Sequence, residues 1–277
     1  MEGLIMNQTQ TKAATSLTTK QAKFAQELFT AYSTRTPLNM ADWEGTVQDE
    51  ATAYLVQERL TQLKEEKVAA YKVSLTSAET QKMFASTSPL YGAQVASRLR
   101  QSPTEVSLSE LMEPLVEVEL EFRAVQELKS TDSLTELMEK TTVAAGLEVP
   151  DSRFKDWFPT LSKYLVMSDA AVGGLVLYGT EKPTTDVFKT PEELAQVHCE
   201  LRCNDRKLKE GVSAEVLDNP LNSLHWLVTK LEQQGHPLTV GQLVSTGTFV
   251  LPPKLTAGRW SAKFDHGLGN VDVTVTK

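Results

Sequence analysis

The chain has 277 residues, 40% hydrophobic and 23% charged, with a formal net charge of −8, which suits one large domain or a small cap on a core. No basic stripe interrupts the acidic balance, and nucleic acid is excluded as a main partner because phosphate binding needs clustered Lys and Arg. No run approaches the roughly 18 apolar residues of a membrane span, so no membrane partner is expected.

Residues 1–18 are polar and are expected to be frayed; with no basic region ahead of an apolar core, no secretory signal is expected. From Thr19 to Tyr32, the residues Ala25, Leu28, Phe29 and Tyr32 recur at helical spacing. A second helix is predicted from about Thr46 to Glu66, with Val47, Ala51, Tyr54 and Leu55 on one face. These helices define a small N-terminal cap over residues 1–67. The character changes at Val68, where VAAYKVSL reads as a buried strand, SAETQKMF as a short helix opened by Ser77, and SPLYG as a turn. In PLVEVELEFRA, Val116, Val118, Leu120 and Phe122 face one way, and Glu117, Glu119, Glu121 and Arg123 the other.

Ser133-Leu134-Thr135-Glu136 fits a capping box, and the helix it opens is predicted to stop near Gly146. GLVLYG reads as a second buried strand, and VHCELRCNDRKLKEG as a hairpin around Asn204-Asp205. Cys199 and Cys203 fall on one face of that hairpin, too far apart for an easy disulfide, and read as reduced thiols of a cytoplasmic protein. Asn219-Pro220 opens another helix, with Gly235 just past its end. QLVSTGTFVL, GRWSAKF and NVDVTVT read as short closing strands. The fold class is α+β: helices first, then a strand-rich, curled sheet over residues 68–277.

Glu117 and Glu119, two apart on a strand, project from one face roughly 7 Å apart at the backbone. Two carboxylates so placed can converge on one hard cation, and oxygen-only ligation suits Mg²⁺ or Mn²⁺. By spacing alone, however, such a strand reads more readily as a solvated sheet face.

Several segments resemble the 2-keto-4-pentenoate hydratase family of the fumarylacetoacetate hydrolase superfamily. AYLVQERLTQLKEEKVAAYKVSLTS resembles the stretch leading into a G-x-K-x-G-L-T-S signature. PLVEVELEF resembles a P-x-V-E-x-E-I-A-F strand, and GLEVPDSRFKDW an L-E-I-V-D-S-R segment. VLDNPLNSLHWLVTKLEQQGHPLTVGQLVSTGT and LTAGRWSAKFDHGLGNVDVTV match the remaining helix, loop and closing strands. The likeness runs in order over about residues 46 to 277.

The resemblance implies a curled mixed sheet of the fumarylacetoacetase C-terminal type, with residues 68–277 as the metal-binding catalytic domain. It implies that Glu117, Glu119 and Glu148 bind Mg²⁺ or Mn²⁺ and that Lys72 is catalytic, donating a hydrogen bond or shuttling a proton if burial lowers its pKa. Leu90, Ser168, Asp169 and Thr248 fall where a small 2-keto acid binds. A homo-oligomer, or a complex with a related lyase, is expected. Asp151 and Arg153 are expected to form a structural ion pair.

Three departures matter. Leu90 stands where the hydratases carry Asp in Pro-Asp-(Tyr/Phe)-Gly and where the related 4-oxalocrotonate decarboxylases carry an aliphatic residue. Ser74 replaces the second glycine of the signature, and Ala171 a serine. The expected activity is addition of water to a dienol or 2-keto acid. Decarboxylation is the runner-up, and a catalytically impaired assembly subunit the third reading.

Overall fold

The structure, a computed structural model, describes residues 16–277; the expectation for residues 1–15 lies outside the described residues. Helix α1 (Thr19–Thr34) opens on a capping box between Thr18 and Gln21. Helix α2 (Glu50–Leu63) is shorter than the spacing predicts, because the Asp49 side chain accepts from Thr52 N and starts the helix there. Strand β1 (Val68–Ser74) leads into α3 (Ala78–Met83), which Ser77 caps, and then β2 (Leu90–Val95), β3 (Leu99–Gln101), β4 (Thr104–Ser107) and β5 (Glu117–Ala124). Next come α4 (Leu134–Glu139), β6 (Thr141–Pro150), α5 (Lys163–Ser168), β7 (Gly173–Tyr178), β8 (Lys182–Pro183) and α6 (Thr184–Val187). The hairpin β9 (His198–Cys203) and β10 (Arg206–Val212), helix α7 (Pro220–Gln233), and strands β11 (Leu243–Ser245), β12 (Gly258–Phe264) and β13 (Gly269–Thr276) complete the chain.

An eight-stranded sheet runs β2-β1-β11-β5-β6-β7-β3, with β8 beside β6; a five-stranded sheet runs β10-β9-β12-β13-β4. The larger sheet is strongly curled into a half-barrel. Its strands are mostly antiparallel, but β1 pairs with β11 in parallel, which brings a late strand between two early ones. Val118, Leu120 and Phe122 turn away from the concave face into the main core with Leu224, Val228 and Leu231 of α7. Each such side chain contributes about 1.5–3 kcal/mol on full burial. A second cluster joins Phe24 and Leu28 of α1, Val56 and Leu60 of α2, and Leu165 and Val166 of α5 to Leu90 of β2. No helix among the described residues is long and apolar enough to cross a membrane.

Three local expectations are corrected. SPLYG is not a turn throughout, since Leu90 opens the wholly buried strand β2. The helix opened by Ser133 stops at Glu139, and Gly146 lies inside β6. The β-branched run Thr141-Thr142-Val143 favours strand over helix, and Gly146 serves close packing rather than a helix end, since a Cβ there would lie 2.4 Å from Glu121 Oε1. Finally, Arg153 pairs with Asp169 rather than Asp151. The Asp151 carboxylate instead accepts from the backbone N–H groups of Met112 and Glu113.

Candidate metal centre

Cross-strand neighbours share a face of a sheet, and this places the polar groups of the concave side. On β5 and β6, Glu117 is paired with Glu148 and Glu119 with Gly146. On the other flank, Lys72 of β1 is in register with Ser245 of β11, and Ser245 with Glu121 of β5. The sheet curls this face into the interior, so Glu119, Glu121 and Glu148 are fully buried, Lys72 is 1% exposed, and Glu117 keeps 16% exposure at the rim.

Glu117, Glu119 and Glu148 each offer one carboxylate oxygen, all within 4.8 Å of one another. Lys72 Nζ donates to Glu148 Oε2 at 2.6 Å and lies 3.9 Å from Glu117 Oε2. Glu119 Oε2 is met by Ser245 Oγ at 2.5 Å and by the Gly247 N–H at 2.7 Å. The opposite oxygens, Glu119 Oε1 and Glu148 Oε1, are buried with no hydrogen-bond partner. Orphaned carboxylate oxygens in a dry interior are costly, and within a cluster of three carboxylates they fit a hard divalent cation.

The electrostatics agree. Burial, then the charge of Glu117, pushes the Glu119 carboxyl up to about 8. Burial also raises Glu148 well above the usual carboxylate range, against the pull of Lys72. A bound cation reverses this by stabilising the ionised forms. Burial lowers the pKa of Lys72, but the neighbouring Glu148 and Glu117 outweigh it and the net direction is upward. Lys72 is therefore an ammonium donor among these carboxylates.

No family model matches the chain. A 2-keto-4-pentenoate hydratase of Burkholderia vietnamiensis is 30% identical to it over 237 residues, covering 83% of this chain and 87% of that protein. The chain belongs to the 2-keto-4-pentenoate hydratase family. It is an enzyme of the lyase class, in which that family's members add water.

Among solved structures, the 4-oxalocrotonate decarboxylase of Pseudomonas putida G7, complexed with magnesium and adipate, superposes with a TM-score of 0.84 at 21% identity, covering 94% of this chain and 99% of that one. The fumarylpyruvate hydrolase of Pseudomonas aeruginosa, in complex with Mn²⁺ and pyruvate, gives a TM-score of 0.58 at 17% identity over 75% of this chain and 88% of that one. These likenesses show that this hydratase-family chain has the fold of the fumarylacetoacetate hydrolase superfamily.

The remaining candidate residues are placed unevenly. Leu90 is the cross-strand partner of Ser74, one pleat along from the Lys72–Gly92 pair, and so lies on the same sheet face as Lys72. Gly92 admits the Ala170 carbonyl, which a Cβ would meet at 1.9 Å. Ala170, Ala171 and Val172 all adopt left-handed backbone, with φ of 50°, 52° and 50°; a run of such non-glycine residues stores strain of the kind that gathers at functional sites. Asp169 is committed to Arg153 and to Ser152 Oγ, and the Ser168 hydroxyl donates to Tyr164 O within its helix. Thr248 Oγ1 accepts from Val118 N at 3.2 Å and donates to Val250 O at 2.9 Å, tying its loop to β5 between the two glutamates.

Sequence reasoning left Glu121 without a role, and placed Ser245 only within a substrate-binding loop, not against Glu119. The signal lay in the quoted P-x-V-E-x-E-I-A-F pattern, which has alanine at the position of Glu121.

Proposed function

We propose that this protein is a metal-dependent lyase that adds water to a short 2-hydroxy-2,4-dienoate, with Glu117, Glu119 and Glu148 holding Mg²⁺ or Mn²⁺. The observation that carries the reading is the convergence of these three carboxylates, two with bare buried oxygens, beside the ammonium of Lys72. A divalent cation held there supplies Lewis-acid stabilisation of enolate charge on a 2-keto acid.

The chain's own groups have separate tasks. Lys72, held by Glu148, donates a hydrogen bond towards the oxygen on which negative charge develops. The backbone at Gly247 and the hydroxyl of Ser245 keep Glu119 in place. In hydration the enol proton is lost and the distal carbon gains one, giving a 2-oxo-3-enoate. Water oxygen then bonds to C4 while a proton goes to C3, so the product is the dienol plus one water. The substrate's distal end meets the wall that Leu90 and Ala171 build, and both belong to the apolar cluster shared with the N-terminal helices. We extend the same reading to a division between a helical cap, residues 1–67, and a catalytic part, residues 68–277, and to a homo-oligomer in the cytoplasm.

A second reading is favoured by one observation. Leu90 is fully buried among apolar side chains and cannot transfer a proton. An apolar wall there destabilises a distal carboxylate relative to neutral carbon dioxide, which suits decarboxylation of a 2-keto diacid. The test is paired. With Mn²⁺ present, freshly generated 2-hydroxypenta-2,4-dienoate should lose its ultraviolet absorbance faster than without protein, and 2-oxohex-3-enedioate should not release carbon dioxide. The reverse outcome selects the decarboxylase. Inertness towards both, with Mn²⁺ bound, selects an impaired assembly subunit.

A further inference from the structure

Behind the three converging carboxylates lies a fourth, Glu121, which is fully buried on the same face of β5. Its Oε1 is 2.9 Å from Ser245 Oγ, and Ser245 Oγ is 2.5 Å from Glu119 Oε2. The space it fills is left open by Gly146 on the neighbouring strand, where a Cβ would approach Glu121 Oε1 to 2.4 Å and Cγ to 2.6 Å. A charged-type side chain is thus seated in a hole of matching shape, with one bridging hydroxyl between it and Glu119.

We propose that Glu121 is a positioning residue: acting through Ser245, it fixes the Glu119 carboxylate so that Oε1 stays turned towards the cation. This rests on the reading of Glu117, Glu119 and Glu148 as ligands. A carboxylate on a flexible Glu stem can rotate about its last torsion, which is broad and roughly two-fold. Two donors on one oxygen, Ser245 Oγ and Gly247 N–H, select a single rotamer and leave the other oxygen bare. Ser245 Oγ in turn lies within hydrogen-bond distance of a carboxylate oxygen of both Glu119 and Glu121. Glu121 thus anchors that hydroxyl against Glu119, much as outer hydrogen-bonding partners orient ligands at metal sites.

The experiment is a calorimetric Mn²⁺ titration of metal-stripped protein, with the Mn²⁺ electron paramagnetic resonance line shape as a second readout. Glu121→Ala and Ser245→Ala should each weaken Mn²⁺ binding by about tenfold or more and broaden the spectrum, because outer partners contribute ~10–100-fold in affinity. Glu121→Gln keeps the shape and a hydrogen-bonding partner for Ser245, so it should restore binding to near wild type. Glu121→Ala in the Ser245→Ala background should add nothing further. If Glu121→Ala does not fold, the Ser245→Ala and Glu121→Gln pair carries the test. Wild-type affinity in Glu121→Ala or in Ser245→Ala, or additive losses in the double variant, would overturn the inference alone. No Mn²⁺ binding by the wild-type protein overturns the cation site, and this inference with it.

Discussion

Glu117 and Glu148 stand directly opposite one another on adjacent antiparallel strands, with the Lys72 ammonium 3.9 Å from one and 2.6 Å from the other. Like charges placed opposite in a sheet repel; Lys72 counters the repulsion from Glu117 on Glu148, and burial is what keeps the Glu148 carboxyl raised. The arrangement is a preorganised receptor for positive charge, held together by the sheet rather than by its own side chains.

Replacing Glu148 with Gln removes one of the three proposed ligands and the main partner of Lys72 while keeping volume. Mn²⁺ affinity should fall by more than the ~10–100-fold that outer partners contribute. The wild-type melting temperature should rise by several degrees with Mn²⁺ at about 100 times its dissociation constant, which stabilises by roughly 2.7 kcal/mol. The variant should show no such rise. Differential scanning fluorimetry with and without EDTA reads both.

Cation affinity should rise with pH. In the metal-free protein Glu119 titrates near 8 because burial, then Glu117, opposes its ionisation, and binding must displace that proton. The native state holds a proton that the unfolded state has lost between about pH 4.5 and 8. Metal-free stability is therefore favoured below that window and declines as pH rises through it. Calorimetry in buffers of different ionisation enthalpy should record proton release on Mn²⁺ binding at pH 7, and less of it as the pH is raised past 8.

Lys64 gives a pH effect of opposite sign, away from the cation site. It is 9% exposed, with Nζ 4.5 Å from the Tyr32 ring centroid and Arg98 over the same ring. Burial, then the charges of Arg153 and Arg98, lowers its pKa to about 7. Between about pH 7 and 10.5 the unfolded chain binds a proton that the native state has lost, so this contribution to stability rises across that window. Lys64→Met keeps the stem and removes the charge. It should stabilise the protein at pH 7 by on the order of a few kcal/mol and flatten the rise in chemical denaturation series.

Leu90→Asp tests the far end of the substrate. Placing a carboxylic acid in that fully buried position should lower the melting temperature, since an unpaired polar group there costs several kcal/mol. The folded fraction should shift product towards the hydrated acid if position 90 governs proton delivery. An unchanged ratio of hydration to decarboxylation products, measured by NMR, would sink that assignment.

Much of the fold was legible locally. Period-two alternation placed Val118, Leu120 and Phe122 on one face of β5 and the glutamates on the other, and both ends of α7 were marked by residues whose chemistry starts and stops helices. Where reading failed, packing had overridden local signals. Gly146 looked like a helix end, but its missing Cβ makes room for Glu121 across the strand, and Arg153 found Asp169 rather than its near neighbour because β7 and the Asp169 turn enclose it.

The sequence by itself determined which residues share a face, because a strand's side chains alternate whatever surrounds it, and it carried the family likeness that singled out Glu117, Glu119 and Glu148. Only the tertiary structure decided that this face is the inside of a curled sheet rather than a wet surface. Curling, and the insertion of β11 between β1 and β5, bring Lys72, Ser245 and Glu148 around β5 from far along the chain. Desolvation and mutual repulsion then give those carboxylates a chemistry that no spacing rule contains.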